Sequence, residues 1–181
     1  IRQTMNQGEL ALKILSETAA DIFKNEILKK NPEVISEQTQ AYIMCGCLND
    51  AERLNGLVPN PLNSVRISID RTKYTEGLTI LNAYKRKVCG KGFADILLYL
   101  LVLETILLKR LGEDEKALDC FKKAIEEAET GGYIRIFSDF GNELKALCID
   151  LNNNGNYSLY LKKILTAFPE KDSPIEKLTS R

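Results

Sequence analysis

The chain has 181 residues, in which 25 Lys and Arg balance 25 Asp and Glu, and it contains five cysteines and no histidine. Its length suits one domain, or an array of short repeats of similar size. A net charge of zero excludes a global field that would steer the chain to nucleic acid or to an anionic membrane. The lack of histidine removes the commonest general base and metal ligand, so we expect neither an enzyme nor a metal site.

Apolar residues recur at intervals of three and four in one segment after another, without sustained alternation, so the fold is predicted to be all-α. Residues 1–7 resemble the end of one helix. Residues 10–28 are predicted to form an amphipathic helix with a buried stripe that includes Ile14. Asn31-Pro32 then stops or restarts the chain, because proline disfavours helix at the residue before it. The next predicted helices span residues 34–45 and 50–57, with Gly46 as the turn between them.

Two prolines in segment 58–63 make the clearest break in the chain. We interpret it as a connection between helix pairs and not as a domain boundary, since a core on either side alone would be thin. The longest apolar run, residues 96–108, is interrupted by Glu104 and is shorter than the ~20 residues of a bilayer crossing. The remaining predicted helices span residues 62–70, 75–89, 93–111, 114–130, 143–151 and 158–168, and Gly131-Gly132 caps the helix at 114–130.

A packing motif spans the turn before the predicted helix at 114–130 and the first part of that helix. It has the spacing G-x4-A-x3-F-x2-A, and its members are Gly112, Ala117, Phe121 and Ala124. Glycine permits a tight turn between two helices, alanine lets their backbones approach, and phenylalanine fills the groove toward the next pair. The spacing resembles the second half of a tetratricopeptide repeat.

The same relation recurs in degenerate form along the chain. Gly46 is followed five residues later by Ala51, and Gly77 and Leu81 stand where the motif has its alanine and its phenylalanine. We therefore predict a tetratricopeptide-like α-α superhelix of stacked helical hairpins over residues 1–170.

A second resemblance follows the last repeat, in the segment GGYIRIFSDFG. It is similar to the exit of the superhelical sensor domain in MalT-type regulators, the ATP-dependent activators of the LuxR family. That exit has the pattern Y-[VI]-R-x-[FL]-x-[DE]-x-G, which this chain matches with Tyr133, Ile134, Arg135, Phe137, Asp139 and Gly141. The final residues, Leu-Thr-Ser-Arg at 178–181, resemble the opening of a LuxR-type DNA-binding domain, so residues 171–181 are predicted to be a linker toward a helix-turn-helix domain that is absent here.

The resemblance implies a cytoplasmic sensor or interaction domain of a transcriptional regulator. It would bind a small-molecule inducer or a regulatory protein, contact other domains of the same regulator, and affect DNA only through the absent C-terminal domain. ATP is expected only in an absent upstream module, because this chain has no G-x4-G-K-[ST] motif, and no cofactor or membrane contact is expected. The alternative is a tetratricopeptide scaffold that binds proteins and has no small-molecule ligand.

Three residues of the exit segment are the candidate ligand-binding or partner-binding residues: Tyr133, Arg135 and Asp139. An aromatic ring, a cation and a carboxylate near an irregular turn suit a small polar ligand. In the alternative interpretation, Tyr133 and Phe137 pack on the last repeat, while the two charged residues form a local ion pair or cap. The sequence leaves both interpretations open.

We interpret the cysteines and the charge runs as structural features and not as functional sites. Cys45 and Cys47 have the only close cysteine spacing, a weak zinc signal without histidine, and all five thiols are expected to be reduced and packed as small apolar groups. Whether this pair senses redox state stays open. The basic run at 85–87 and the acidic residues at 126, 127 and 129 are interpreted as solvated helix faces.

Overall fold

The computed structural model describes residues 31–89, 94–153 and 159–168, together with Lys13, Ile14 and Glu17. Over these residues the fold is all-α, as predicted, and none of them lies in a strand. The rest of the predicted helices at 1–7 and 10–28, and the predicted linker at 171–181, lie outside the described residues. Ile14 was expected in a buried stripe and is 54% exposed, so that expectation is wrong, although a single exposed isoleucine is ordinary for a surface.

Contacts divide the chain into two compact units, one containing the described residues up to Thr72 and the other those from Lys73 onward. Most observed helix ends lie within a few residues of the predicted ones, and the four-residue α7 was not predicted. The helices of the first unit are α1 (Pro32–Met44), α2 (Leu48–Leu57) and α3 (Pro61–Asp70). Those of the second unit are α4 (Tyr74–Val88), α5 (Ala94–Arg110), α6 (Asp114–Gly131), α7 (Arg135–Ser138), α8 (Asn142–Asn153) and α9 (Leu159–Ala167).

Two helices of the first unit begin with the same Asn-Pro pair. Asn31 precedes Pro32 at the start of α1, and its side chain accepts hydrogen bonds from two backbone N–H groups of the first turn. Asn60 precedes Pro61 at the start of α3 and does the same. Asparagine is a favourable N-cap, and proline at the first helical position has no N–H to leave unpaired. Each pair therefore starts a helix, two residues earlier than predicted for α1.

Helix α3 contacts both α1 and α2, which pack closely against each other. A polar network holds α3 on α1: the Asn60 side-chain amide donates to the Ser36 hydroxyl at 2.8 Å, and Asn63, only 5% exposed, donates to the Ser36 carbonyl at 3.1 Å. Asn55 on α2 joins the same region by donating to the Ser64 hydroxyl at 2.9 Å. The apolar core beneath consists of Ile35, Tyr42, Ile43, Ala51, Leu54 and Ile67.

In the second unit, α5 packs against α6 and also against α4, while α7, α8 and α9 pack on one another. Helix α5 is the most apolar segment. Among the described helices, none is long and apolar enough to cross a membrane. The residues of α5 that are buried are Leu98, Leu100, Val102, Leu103, Thr105, Ile106 and Leu107.

Candidate functional site

A hydrogen-bonded turn closes the α5–α6 hairpin. Gly112 has a φ of +78°, in the left-handed region that residues with a Cβ adopt only at a cost. This is the Schellman arrangement, in which N–H groups after the helix pair with its last carbonyls. Its bonds run from Leu111 N to Leu107 O (3.0 Å), from Gly112 N to Lys109 O (3.1 Å) and from Glu113 N to Leu108 O (2.9 Å).

The α1–α2 hairpin uses the same turn. Gly46 has a φ of +73°, and the three hydrogen bonds have the same offsets along the chain. Five residues after each glycine stands an alanine with no exposed surface, Ala51 in α2 and Ala117 in α6. The recurrence predicted from the sequence is therefore confirmed for these two hairpins. The bonds of the first turn run from Cys45 N to Ala41 O, from Gly46 N to Ile43 O and from Cys47 N to Tyr42 O.

A third instance of the turn follows α3, with threonine in place of glycine. Thr72 has a φ of +59°, and two of the turn's hydrogen bonds form, from Arg71 N to Ile67 O and from Thr72 N to Ile69 O. Gly77 lies five residues later and is buried, and Leu81 four residues beyond it is fully buried. The predicted equivalence of Gly77 and Leu81 with the alanine and phenylalanine of the motif agrees with this burial.

Phe121 is the centre of the packing between α6 and the exit segment. It is fully buried and meets the equally buried Phe137 of α7 edge to face, with ring centroids 5.9 Å apart. Edge-to-face aromatic pairs stabilise beyond the area they bury. Phe137 therefore packs on the last repeat, as the alternative interpretation of this segment predicted.

The exit from α6 is fixed from outside the helix by Tyr160 of α9. Gly132 caps α6 in the left-handed region, and the N–H of Tyr133 donates to the Ala128 carbonyl at 3.0 Å. The Tyr160 hydroxyl lies 2.8 Å from that same carbonyl oxygen and 2.7 Å from the carbonyl oxygen of Tyr133. Burial raises the pKa of Tyr160 to about 12. The hydroxyl thus stays protonated and donates to the backbone at neutral pH.

The three candidate residues lie on the surface of this exit. Tyr133 is 44% exposed, and its ring lies over Gly131, where an added Cβ would collide with it. Arg135 and Asp139 approach each other with Nε and Oδ1 3.8 Å apart, and their side chains are 92% and 60% exposed. The charged pair has the geometry of the local ion pair in the alternative interpretation. Their role in ligand binding stays a prediction.

A cleft that sequence reasoning missed lies in the second unit and is lined by residues of α5, α6 and α8, with a volume of about 330 Å³. Its apolar floor consists of Leu118, Leu147 and Leu151, and its polar rim of Lys109, Asp114, Asp150 and Asn153. We call it the α6–α8 cleft. The only sequence signal for it is the helical spacing of its leucines, which does not distinguish a cleft from an ordinary packed face.

The rim of the α6–α8 cleft contains an ion pair between Lys109 and Asp114. Lys109 Nζ lies 2.7 Å from Asp114 Oδ1. The hydrogen bond to Asp114 raises the pKa of Lys109, and the charges of Asp150 and Glu143 add to the effect. Beside the cleft, Arg110 pairs with Glu143 across 2.8 Å and joins the end of α5 to the start of α8.

The basic run at 85–87 was interpreted as a solvated helix face, and this interpretation is wrong for Lys85. Arg86 and Lys87 are exposed, as expected of a solvated face. Lys85 instead turns toward α5, where its Nζ lies 2.5 Å from Glu104 Oε2, and Glu104 is only 17% exposed. The Cys120 thiol of α6 lies 3.5 Å from the same carboxylate oxygen. Lys85, one helical turn before the end of α4, thus forms an ion pair with Glu104 on the apolar helix α5.

The cysteines are free thiols in the structure, and the expectation that all five are packed as small apolar groups is wrong for Cys45 and Cys89, which are exposed. Partial desolvation raises the pKa of Cys45 and of Cys47, and burial raises those of Cys120 and Cys148 to about 11 and about 12. Thiols with raised pKa values stay protonated at neutral pH and react slowly. Over the described part of the chain, no group of three or more acidic or cysteine side chains is arranged to hold a metal ion.

In comparisons with known proteins, no family, no curated protein and no solved structure matches the chain.

Proposed function

We propose that this chain is a helical-repeat sensor and interaction domain, which binds an inducer or a regulatory protein. The observation that carries this proposal is the repeated hairpin turn, with its left-handed glycine and the fully buried alanine five residues later in both α2 and α6. Stacked helical hairpins of the tetratricopeptide type are binding scaffolds with extended concave surfaces. We propose that the hairpins of this chain belong to such a superhelix.

The exit segment supports the more specific proposal of a MalT-type regulator. Two of the residues that carry the resemblance are held in place after α6, Phe137 by packing on Phe121 and the backbone of Tyr133 by a hydrogen bond from Tyr160. A repeat array that ends in a packed exit suits a domain that must transmit a change to a following module. In this proposal the regulator acts in the cytoplasm, with ATP and DNA bound by modules outside this chain.

The proposed mechanism is a shift between two states of the regulator. An inducer or regulatory protein favours the state that binds it more tightly, and coupling of about 1–3 kcal/mol is typical of such switches. Arg135, Asp139 and Tyr133 remain candidate contacts because they are exposed on the exit segment.

The sharpest test is to determine the reading frame on both sides of these 181 residues. A P-loop ATPase module upstream and a helix-turn-helix module downstream are the expected result. If the frame encodes neither, the regulator proposal fails, and a scaffold that binds proteins without a small-molecule inducer replaces it. A thermal-shift screen of the domain against metabolites and sugars gives a second readout, because binding to the folded state alone raises the melting temperature.

A further inference from the structure

We propose that the α6–α8 cleft binds a small organic cation that carries an apolar group, such as an arylalkylamine or an alkylguanidine. The inference rests on the proposed sensor function, for which it supplies a binding site and a ligand class. It is argued from the shape of the cleft, from its floor and from the charges on its rim.

The floor of the cleft accepts an apolar body. Leu147 and Leu151 are 7% and 3% exposed, so they belong to the packed interior below the cleft, and Leu118 is half-buried between them and the rim. The volume of about 330 Å³ lies at the lower end of the range of small-molecule sites. A single ring or a short alkyl chain therefore fits.

The rim carries more negative than positive charge. Asp114 and Asp150 contribute two carboxylates, and Lys109, the only cation among the described residues of the lining, is held 2.7 Å from Asp114. The charge of Asp150 also acts on Lys109, but among the described residues Asp150 forms no ion pair at salt-bridge distance. The neighbouring Arg110 is already paired with Glu143 and adds no net charge. The rim thus retains one carboxylate that a cation can pair with.

The position of Asp150 strengthens this asymmetry. It stands in the last turn of α8, which contains no basic residue. The C-terminal end of a helix carries partial negative charge, so a carboxylate there is unfavourable and a cation is favourable. A bound ammonium or guanidinium would relieve this repulsion. A bound carboxylate or phosphate would add to it, so the cleft is expected to reject anions.

The test compares three probes that share one phenyl ring: 2-phenylethylamine, 2-phenylethanol and phenylacetate. We expect 2-phenylethylamine to bind at millimolar concentration in isothermal titration, and phenylacetate not to bind. The Asp150→Asn variant should lower the affinity about ten-fold, since it loses the charge-assisted hydrogen bond to the ammonium group. The alcohol should bind about as weakly as the amine binds this variant.

The matched control is Asp119→Asn. Asp119 lies on α6 with a 72% exposed side chain, pairs only with Lys122 at 3.7 Å among the described residues, and is not part of the cleft lining. Its replacement should leave the affinity for the amine unchanged. Circular dichroism of both variants checks that the fold is retained, which is expected because both aspartates are exposed.

Three results would overturn the inference: no binding of the amine, equal binding of amine and phenylacetate, or equal loss of affinity in the two variants. These outcomes are separate from the failure of the proposed function. If the reading frame contains both regulator modules and the amine does not bind, the regulator proposal stands and the ligand site lies elsewhere. If the amine binds as expected and the modules are missing, the cleft belongs to a binding protein of another kind.

Discussion

The α1–α2 and α5–α6 hairpins have the same turn and hold the next helix in different ways. Both turn at a left-handed glycine with the same three hydrogen bonds, and both bury an alanine five residues later. Four residues beyond the alanine, the hairpins diverge. The second has Phe121, which packs on Phe137, and the first has Asn55, which donates to Ser64 of α3.

This difference shows that the turn within a hairpin and the contact with the next element depend on different residues of the motif. The glycine and the alanine determine the turn and the close approach within one hairpin, and they do so whatever follows. The residue four positions after the alanine contributes to holding the next element, by an aromatic contact in one hairpin and by hydrogen bonds in the other. Aromatic packing depends on buried area, whereas an amide network depends on every partner being present.

The largest expected effect is that of Phe121→Ala. Deleting a fully buried ring removes apolar contacts and leaves a cavity, so the free energy of unfolding should fall by about 3–5 kcal/mol. Urea unfolding followed by circular dichroism measures it. Asn55→Ala at the corresponding position should cost less, about 1 kcal/mol, because a half-buried amide loses only its hydrogen bonds. Equal losses in the two variants would contradict the distinction between the hairpins.

The polar network of the first unit is tested by Asn63→Ala. Asn63 is buried and donates to both the carbonyl and the hydroxyl oxygen of Ser36. Its loss removes two part-buried hydrogen bonds of about 0.5–1.5 kcal/mol each, although the Ser36 hydroxyl keeps its bond from Asn60, so we expect the free energy of unfolding to fall by about 1–3 kcal/mol. Asn82→Ala, at an exposed position of α4, is the control and should cost nothing measurable. If Ser36→Ala proved additive with Asn63→Ala, the two residues would not act as a pair.

The shared turn predicts equal effects in the two hairpins. Gly46→Ala and Gly112→Ala should each cost about 1 kcal/mol, because the left-handed strain of a residue with a Cβ is partly offset by the lower backbone freedom of alanine in the unfolded state. An added Cβ meets no atom within 4 Å at either position, so no clash adds to this cost. Gly56→Ala is the control, since this glycine lies inside α2 with an ordinary φ and equally open space. There the change should stabilise the protein by about 0.5–1 kcal/mol. Thermal unfolding measures the change in stability of the three variants, and unequal losses for the two turn glycines would contradict the prediction.

Tyr160→Phe tests the hydroxyl that fixes the exit of the second hairpin, and it should cost about 1 kcal/mol at neutral pH. Its pKa is raised to about 12 in the folded state, which disfavours the ionised form there. The contribution of Tyr160 to stability is therefore complete below its ordinary value near pH 10 and is lost as the pH rises through about 12. The phenylalanine variant should lack this part of the alkaline loss. Parallel curves of stability against pH for the two proteins would refute the assignment.

The smallest effect is expected at the third turn. Thr72 adopts the left-handed conformation with a β-branched side chain, and this strain costs about 1–2 kcal/mol. Glycine at this position would remove the strain, but its greater backbone freedom in the unfolded state would offset about half of the gain. Thr72→Gly should therefore raise the free energy of unfolding by about 0.5–1 kcal/mol. A loss of stability would show that the threonine side chain has a role of its own.

The repeated turn was predictable from the sequence because it is local. Glycine at a helix end and alanine five residues later are fixed by backbone conformation and helix spacing. The Asn-Pro starts of α1 and α3 are equally local, although the prolines were first interpreted as breaks. The short helix α7 was missed, because four residues give no periodicity to detect.

The candidate sites could be predicted only in part. Tyr133, Arg135 and Asp139 were selected as neighbours in sequence, and the structure pairs the two charges on the surface. The α6–α8 cleft was not predictable, because its rim brings Lys109 together with Asp150, which lies 41 residues later in the chain. Such distant pairs depend on how helices pack, and a single sequence does not encode that in its spacing. The Lys85–Glu104 pair was missed for the same reason.

The pairing of helices that follow one another along the chain has a consequence for how the protein folds. In each unit, nearly every pair of described helices in close contact is consecutive or separated by a single helix. Contacts between neighbours close only short loops, so folding on the microsecond to millisecond scale is expected. Each hairpin is also a natural unit of partial opening. Backbone amides of one hairpin should therefore exchange with solvent as a group, at a rate set by that hairpin and not by complete unfolding.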